Sequence, residues 1–213
     1  MNIVIKTMQP VSFFVDRLHN YISKNDNEDI VLLRNKNVIQ WIYNDLTFLE
    51  TEQKVTAKIA ENQWGKSMMK IKRPDMNINK QWTNRFGEYL CQELYEVFEY
   101  DITVPTKKKH FKPDLEIEDA IIEVKTGTYF TTGTAHEKIL GCPFKYCEIP
   151  ELYKKPLRIV CIGGAEKICR TQYGNIGQNC CETKKKYIRF FHENGIDFVA
   201  LSDLINDLLI ETL

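Results

Sequence analysis

The residues best suited to chemistry lie close together. They run Phe111-Lys112-Pro113-Asp114-Leu115-Glu116-Ile117, then Glu118-Asp119, then Ala120-Ile121-Ile122-Glu123-Val124-Lys125. Side chains alternate along a strand, so Glu123 and Lys125 share one face while Ile122 and Val124 share the other. If Asp114 heads a neighbouring antiparallel strand, with a tight turn at Glu118-Asp119, its carboxylate reaches the Glu123–Lys125 face. Two carboxylates converging there, with the Val124 backbone carbonyl beside them, offer few but hard oxygen ligands. Such a set leaves room for waters and a phosphate, which suits Mg²⁺, with Mn²⁺ as a substitute, better than a closed protein cage does. The Lys125 ammonium would hold or help deprotonate an attacking water and offset charge building on a phosphorane-like transition state. An acid-x-base triplet is cheap in a chain with 29 acidic and 29 basic residues. The competing reading is a cross-strand ion pair on an amphipathic hairpin. Three features favour the site: Pro-Asp at the strand start, eight residues between Asp114 and Glu123, and β-branched residues flanking the second strand.

Other polar clusters surround this segment. Lys107-Lys108-Lys109-His110 directly precedes it and would serve either as a phosphate-backbone contact or as a solvated loop. Thr126-Gly-Thr-Tyr-Phe-Thr-Thr-Gly-Thr134 is rich in hydroxyls and glycine, so it can approach a nucleic-acid backbone closely. Thr134 and Glu137 form a capping box that predicts a helix start, with Lys138 in its first turn; the capped end would also offer amides to a phosphate. His110 and His136 have no serine or cysteine nucleophile in a recognisable motif, which makes them structural or DNA-facing. The stretch from Gly163 to Cys181 reads as a long polar loop carrying Arg170, Gln172, Tyr173, Asn175, Gln178 and Asn179. These side-chain types suit base edges, and the loop also reads as a plain connection. Gly163-Gly164 lacks the spacing of a nucleotide-binding loop.

Short strands and covering helices must hold these groups. Val11, Phe14, Val15, Leu18 and Ile22 recur at helical spacing, and Val38–Leu49 predicts a second helix. The basic and apolar alternation of Lys66 to Asn79, with Arg73-Pro74, reads as a connection. Trp82, Phe86, Leu90, Leu94 and Val97 predict the next helix. Strands follow at Phe98–Val104, Asp114–Ile117 and Ala120–Thr126, then a helix, a strand at Leu157–Ile162, a helix over 181–193, a strand at Phe198–Leu201 and a closing helix at Asp203–Leu209. This order predicts an α/β fold with a mixed sheet flanked by helices. Residues 1–65 would form a helical N-terminal region and residues 66–213 the core.

The Asp114…Glu123-Val124-Lys125 pattern resembles the PD-(D/E)XK nuclease superfamily, which includes type II restriction endonucleases and Holliday-junction resolvases. Trp82-Thr-Asn-Arg-Phe-Gly-Glu88-Tyr-Leu is similar to the helix before that family's first core strand, where an accessory glutamate faces the metal. Glu88 takes this role by position, with Glu93 the alternative. Gly133-Thr134-Ala135-His136-Glu137-Lys138 resembles the Gly-Thr-x-x-Glu-Lys segment of restriction enzymes. The resemblance covers about residues 80–165. It implies a restriction-endonuclease-like mixed sheet and Mg²⁺-dependent hydrolysis of double-stranded DNA at a specific site, leaving 5′-phosphate and 3′-hydroxyl ends. Asp114 and Glu123, with the Val124 carbonyl, would bind metal, Lys125 would position water, and Glu88 would complete the metal's surroundings. DNA contacts would come from Lys107, Lys108, Lys109, Thr126, Thr134, His136, Lys138, Arg170 and Gln172. The resemblance further implies a homodimer, with the N-terminal region supplying dimer contacts or DNA grip, and a companion DNA methyltransferase. A structure-selective repair or recombination nuclease, and a non-catalytic DNA-binding module, are the alternative readings.

Composition sets the limits. At 213 residues, 43% hydrophobic and 27% charged, the chain is an ordinary globular protein, and wholesale disorder is excluded. No apolar run approaches the roughly 18–20 residues of a membrane span. The opening Met-Asn-Ile-Val-Ile-Lys carries no secretory pattern, which predicts an intracellular, cytoplasmic protein. Zero net charge argues against holding nucleic acid by bulk charge, yet basic clusters at 66–73, 107–112 and 184–189 oppose an acidic end from Asp197. Seven cysteines without a CxxC pair predict reduced thiols rather than a zinc knuckle.

Overall fold

The computed structural model describes residues 9–78, 81–130, 137–177 and 180–211. Four helices come first: α1 (Val11–Ile22), α2 (Lys36–Ile42), α3 (Lys54–Lys72) and α4 (Thr83–Val97). The apolar spacing of α1 buries Val15, Leu18 and Ile22, and the Asn35 side chain caps α2 by accepting from the Asn37 amide. The expected helix over Val38–Leu49 stops at Ile42. Asn44 turns left-handed at φ 64°, and only a 3₁₀ turn at Thr47–Leu49 follows. The expected connection from Lys66 is helix as far as Lys72. Alternating lysines are good helix formers, Met68 and Met69 are buried, and no breaker occurs before Pro74. The proposed boundary at residue 65 therefore falls inside α3. At that point Gly65 lets the Trp82 ring approach, since a Cβ there would lie 2.3 Å from it.

Among the described residues the sheet has four strands in the order β1 (Leu115–Glu116), β2 (Ile121–Gly127), β3 (Leu157–Gly163), β4 (Ile196–Ala200). β1 is antiparallel to β2, while β2, β3 and β4 run parallel. The strand expected at Phe98–Val104 reduces to a bridge between Thr103 and Glu116. Phe98 to Tyr100 instead close α4: the Phe98 and Tyr100 amides donate to Leu94 and Tyr95, with Glu99 left-handed at φ 60°. The remaining helices are α5 (Glu137–Leu140), α6 (Cys142–Lys145), α7 (Ile149–Tyr153), α8 (Gly164–Ile168), α9 (Glu182–Glu193) and α10 (Leu201–Glu211). The expected polar loop after Gly163 is helical through α8 and a π turn at Cys169–Tyr173, because Ala165 and Cys169 are buried and Glu166 is anchored on Ser202.

Both faces of the parallel strands are covered, as buried strands require. Ile122, Val124, Val160 and Ile162 pack with α1, α2, α4 and α10 in one apolar cluster. Ile121, Ile159 and Cys161 pack on the other face with Ile139, Tyr146, Ile149 and Tyr153. The N-terminal helices thus share a core with β2 rather than forming one of their own. Glu93 of α4 strengthens the join: its buried carboxylate accepts from the Leu32 and Leu33 amides at 3.1 and 2.9 Å and pairs with Lys72 at 2.8 Å.

The approach of α4 to β2 depends on one residue. A Cβ on Gly87 would stand 1.6 Å from Thr126 Oγ1 and 2.8 Å from Thr126 Cβ, so Gly87→Ala must push the helix off the strand. Overpacking of this kind costs about 1–3 kcal/mol. Urea unfolding of the variant should show a loss in that range, and a stability equal to the parent would contradict this packing.

Candidate active site

Because β1 is only two residues long, the Val124 amide on the β1 side of β2 has no strand partner, and Asp114 supplies one. Its Oδ2 accepts from the Val124 amide at 2.8 Å while its own amide donates to the Ile122 carbonyl at 3.2 Å. This double tie fixes the carboxylate beside the strand that carries Glu123 and Lys125. Lys125 Nζ donates to Glu123 Oε1 at 2.6 Å and to the Val124 carbonyl at 3.2 Å. Tyr146, at the end of α6, donates its hydroxyl to the same Glu123 Oε1 at 2.7 Å and receives Lys145 Nζ at 2.8 Å. Glu123 Oε2 and Thr126 Oγ1 are buried without hydrogen-bond partners among the described residues. Each is a polar atom whose burial costs free energy until something pairs with it.

These groups line a cleft of about 750 Å³, together with Glu88, Lys58, Lys138, Lys145, Asn62 and Trp82. Glu88 stands at its wall, held by Arg85 at 2.6 Å. Burial pushes the Asp114 carboxyl up to about 6; the Glu123 charge and, less strongly, Glu88 add to the rise, against the Val124 amide and Lys125. Burial pulls the Lys125 ammonium down, but Glu123 outweighs it and holds the group above its ordinary range. Lys125 is therefore a charge at neutral pH rather than a base. Cys142, also at the cleft, is raised to about 11 by burial and stays a thiol.

Two crowded carboxylates, a backbone carbonyl and an unpaired buried carboxylate oxygen suit a hard divalent cation. Among the described residues no group of three or more His, Cys, Asp or Glu side chains gathers as a metal cluster. Asp114, Glu123 and the Val124 carbonyl would hold such an ion only with waters and a substrate phosphate as the remaining ligands.

The other expected site residues separate. Thr126 and Lys138 reach the cleft. Glu93, the alternative accessory glutamate, does not: five residues on from Glu88, it turns to the N-terminal segment and the Lys72 ammonium. Lys108 folds back onto the Leu152 carbonyl and the Tyr153 ring, Lys109 pairs with Glu148, and Lys107 is exposed. Arg170 is bound to Glu166 and Asp203 beside a larger cavity of about 1040 Å³, between α1, α8 and α10. Gln172 is exposed, its carbonyl accepting from Lys184. None of these five lines the carboxylate cleft. Thr134 and His136 lie outside the described residues. Sequence reasoning missed Tyr146, Lys145 and Lys58, which reach the cleft from α6 and α3 with no motif to mark them.

Burial and crowding of Asp114 have a thermodynamic consequence. The folded state holds the Asp114 proton more tightly than an unfolded chain would, so ionising it destabilises the fold: stability falls as pH rises from about 4 to about 6. Asp114→Asn, which keeps an acceptor for the Val124 amide, should therefore stabilise the metal-free protein at pH 7 by about 1–3 kcal/mol, and by little at pH 4. Melting curves of the two proteins across that range check this, and a variant less stable than the parent at pH 7 would refute the cost of burying a charged Asp114 beside Glu123.

No protein-family model, no curated protein and no solved structure matches this chain. No helix among the described residues is long and apolar enough to cross a membrane.

Proposed function

We propose that this chain is a Mg²⁺-dependent endonuclease of double-stranded DNA, built on a restriction-endonuclease-like core and acting at specific sites in the manner of type II restriction enzymes. The observation that carries the reading is the pair of carboxylates, Asp114 and Glu123, fixed side by side on the β1–β2 hairpin with Lys125 against them and one buried Glu123 oxygen unpaired. A bound divalent ion would polarise the scissile phosphate and lower the pKa of an attacking water. Asp114, Glu123 and the Val124 carbonyl would hold that ion. Lys125 would hold the water and offset charge on the phosphoryl oxygens, and Lys138, Lys145 and Lys58 would draw the phosphate backbone to the cleft. Water adds to phosphorus as the bond to the 3′ oxygen breaks; that oxygen takes a proton, leaving 3′-hydroxyl and 5′-phosphate ends. One such centre cuts one strand, so a homodimer would present two to a palindromic site.

A second reading, a non-catalytic DNA-binding module, draws on the 2.6 Å contact of Lys125 with Glu123, which a structural ion pair would also make. The placement of Asp114, buried and beside Glu123, weighs against it, because burying a second carboxylate against the pair costs free energy and gives a purely structural pair nothing. Incubation of the protein with unmethylated plasmid or phage DNA, with Mg²⁺ and with EDTA, separates the readings. Discrete Mg²⁺-dependent fragments are expected. A smear or nicks alone would favour a repair nuclease. No cutting of duplex, junction or flap substrates would leave the binding module.

A further inference from the structure

We propose that Tyr146 is a positioning residue that decides which oxygen of Glu123 is presented to the metal, with Lys145 setting the direction of its proton; this rests on the metallonuclease reading. A tyrosine hydroxyl has one proton, and a lysine ammonium can only donate. Lys145 Nζ lies 2.8 Å from the Tyr146 hydroxyl, which must therefore accept there, and the single hydroxyl proton is left for Glu123 Oε1 at 2.7 Å. Oε1 also receives Lys125 Nζ at 2.6 Å, so among the described residues it carries two donors while buried Oε2 carries none. The carboxylate is polarised: one oxygen is saturated by protein and the other is left for a cation.

The surroundings make the tyrosine rigid. The residue is 7% exposed, and its ring packs on Phe111 at 6.0 Å between centroids and has both the Lys125 and Lys145 ammoniums near its face. Phe111 precedes the Pro113-Asp114 step, so one aromatic contact joins the supports of both carboxylates. Outer contacts of this kind typically contribute 10–100-fold to metal affinity or activity.

The test is Mn²⁺ titration of the whole protein by calorimetry, for the parent, Tyr146→Phe and Lys145→Met, beside the Mg²⁺ dependence of cleavage. Tyr146→Phe should bind Mn²⁺ about 10-fold or more weakly. Its half-saturating Mg²⁺ should rise in step, while cleavage at saturating metal returns close to the parent rate. Equal Mn²⁺ affinity in parent and variant would overturn the assignment and leave the nuclease reading standing. A parent that binds no Mn²⁺ would overturn both. Should Tyr146→Phe fail to fold, Lys145→Met carries the test: it leaves every Glu123 contact in place but frees the tyrosine proton. A several-fold weaker Mn²⁺ affinity is expected for it, and an unchanged one overturns the assignment.

Discussion

Lys125→Ala should retain Mn²⁺ binding and lose cleavage by roughly 10²–10³-fold, about 3–4 kcal/mol of barrier, the usual loss when one preorganised transition-state donor is removed. The split follows from what Lys125 touches. Its ammonium sits on Glu123 Oε1 and on the Val124 carbonyl, and the carbonyl is one of the atoms a cation would use. Removing it frees that carbonyl and leaves Asp114 and Glu123 in greater need of a counter-charge, so metal affinity should hold or rise. What is lost is the positive charge beside the phosphoryl group. Glu123→Gln should behave in the opposite way, losing metal first and cleavage in consequence. Mn²⁺ calorimetry with single-turnover cleavage of a mapped fragment distinguishes the two. Lys125→Ala cutting within tenfold of the parent would remove Lys125 from the mechanism.

The largest loss of stability should come from Glu93→Ala. Glu93 lies on the helix that faces the cleft yet is almost wholly buried away from it, accepting from two backbone amides and one ammonium. The alanine variant orphans the Leu32 and Leu33 amides and strips Lys72, itself largely buried, of its counter-charge. Breaking one side of a buried pair costs about 3–5 kcal/mol. In a chain of this length that lowers the melting temperature by about 6–20 °C. Glu93→Gln keeps one acceptor and should lose less. The glutamine variant, if folded, should also cleave normally, because no Glu93 contact reaches Asp114 or Glu123. A folded Glu93→Gln protein without activity would return Glu93 to the site, and a loss below about 1 kcal/mol for the alanine variant would show the join to be dispensable.

The two glutamates of α4 show where sequence stops. Apolar spacing at Phe86, Leu90, Leu94 and Val97 determined the helix and places Glu93 on that stripe, three residues from Leu90 and four from Val97, with Glu88 on the other side of the helix; only the packed neighbours make the first a structural clamp and the second a cleft wall. The alternation of Ile122, Glu123, Val124 and Lys125 likewise determined that the acid and the lysine share a face, since strand periodicity is a property of the local backbone. Asp114 was legible for the same reason, as the head of the strand paired with β2. Polarity was the poor guide: the lysine-rich stretch after Gly65 reads as linker and folds as helix, and the polar run after Gly163 hides a helix anchored by Glu166. Tyr146 and Lys145 lie more than twenty residues beyond Glu123, at the end of a one-turn helix with no pattern of its own. Their place at the carboxylate was decided by how that turn docks on the second face of the sheet. Local periodicity survives in sequence because it repeats every two to four residues, whereas a contact between distant segments exists only once the sheet has brought them together.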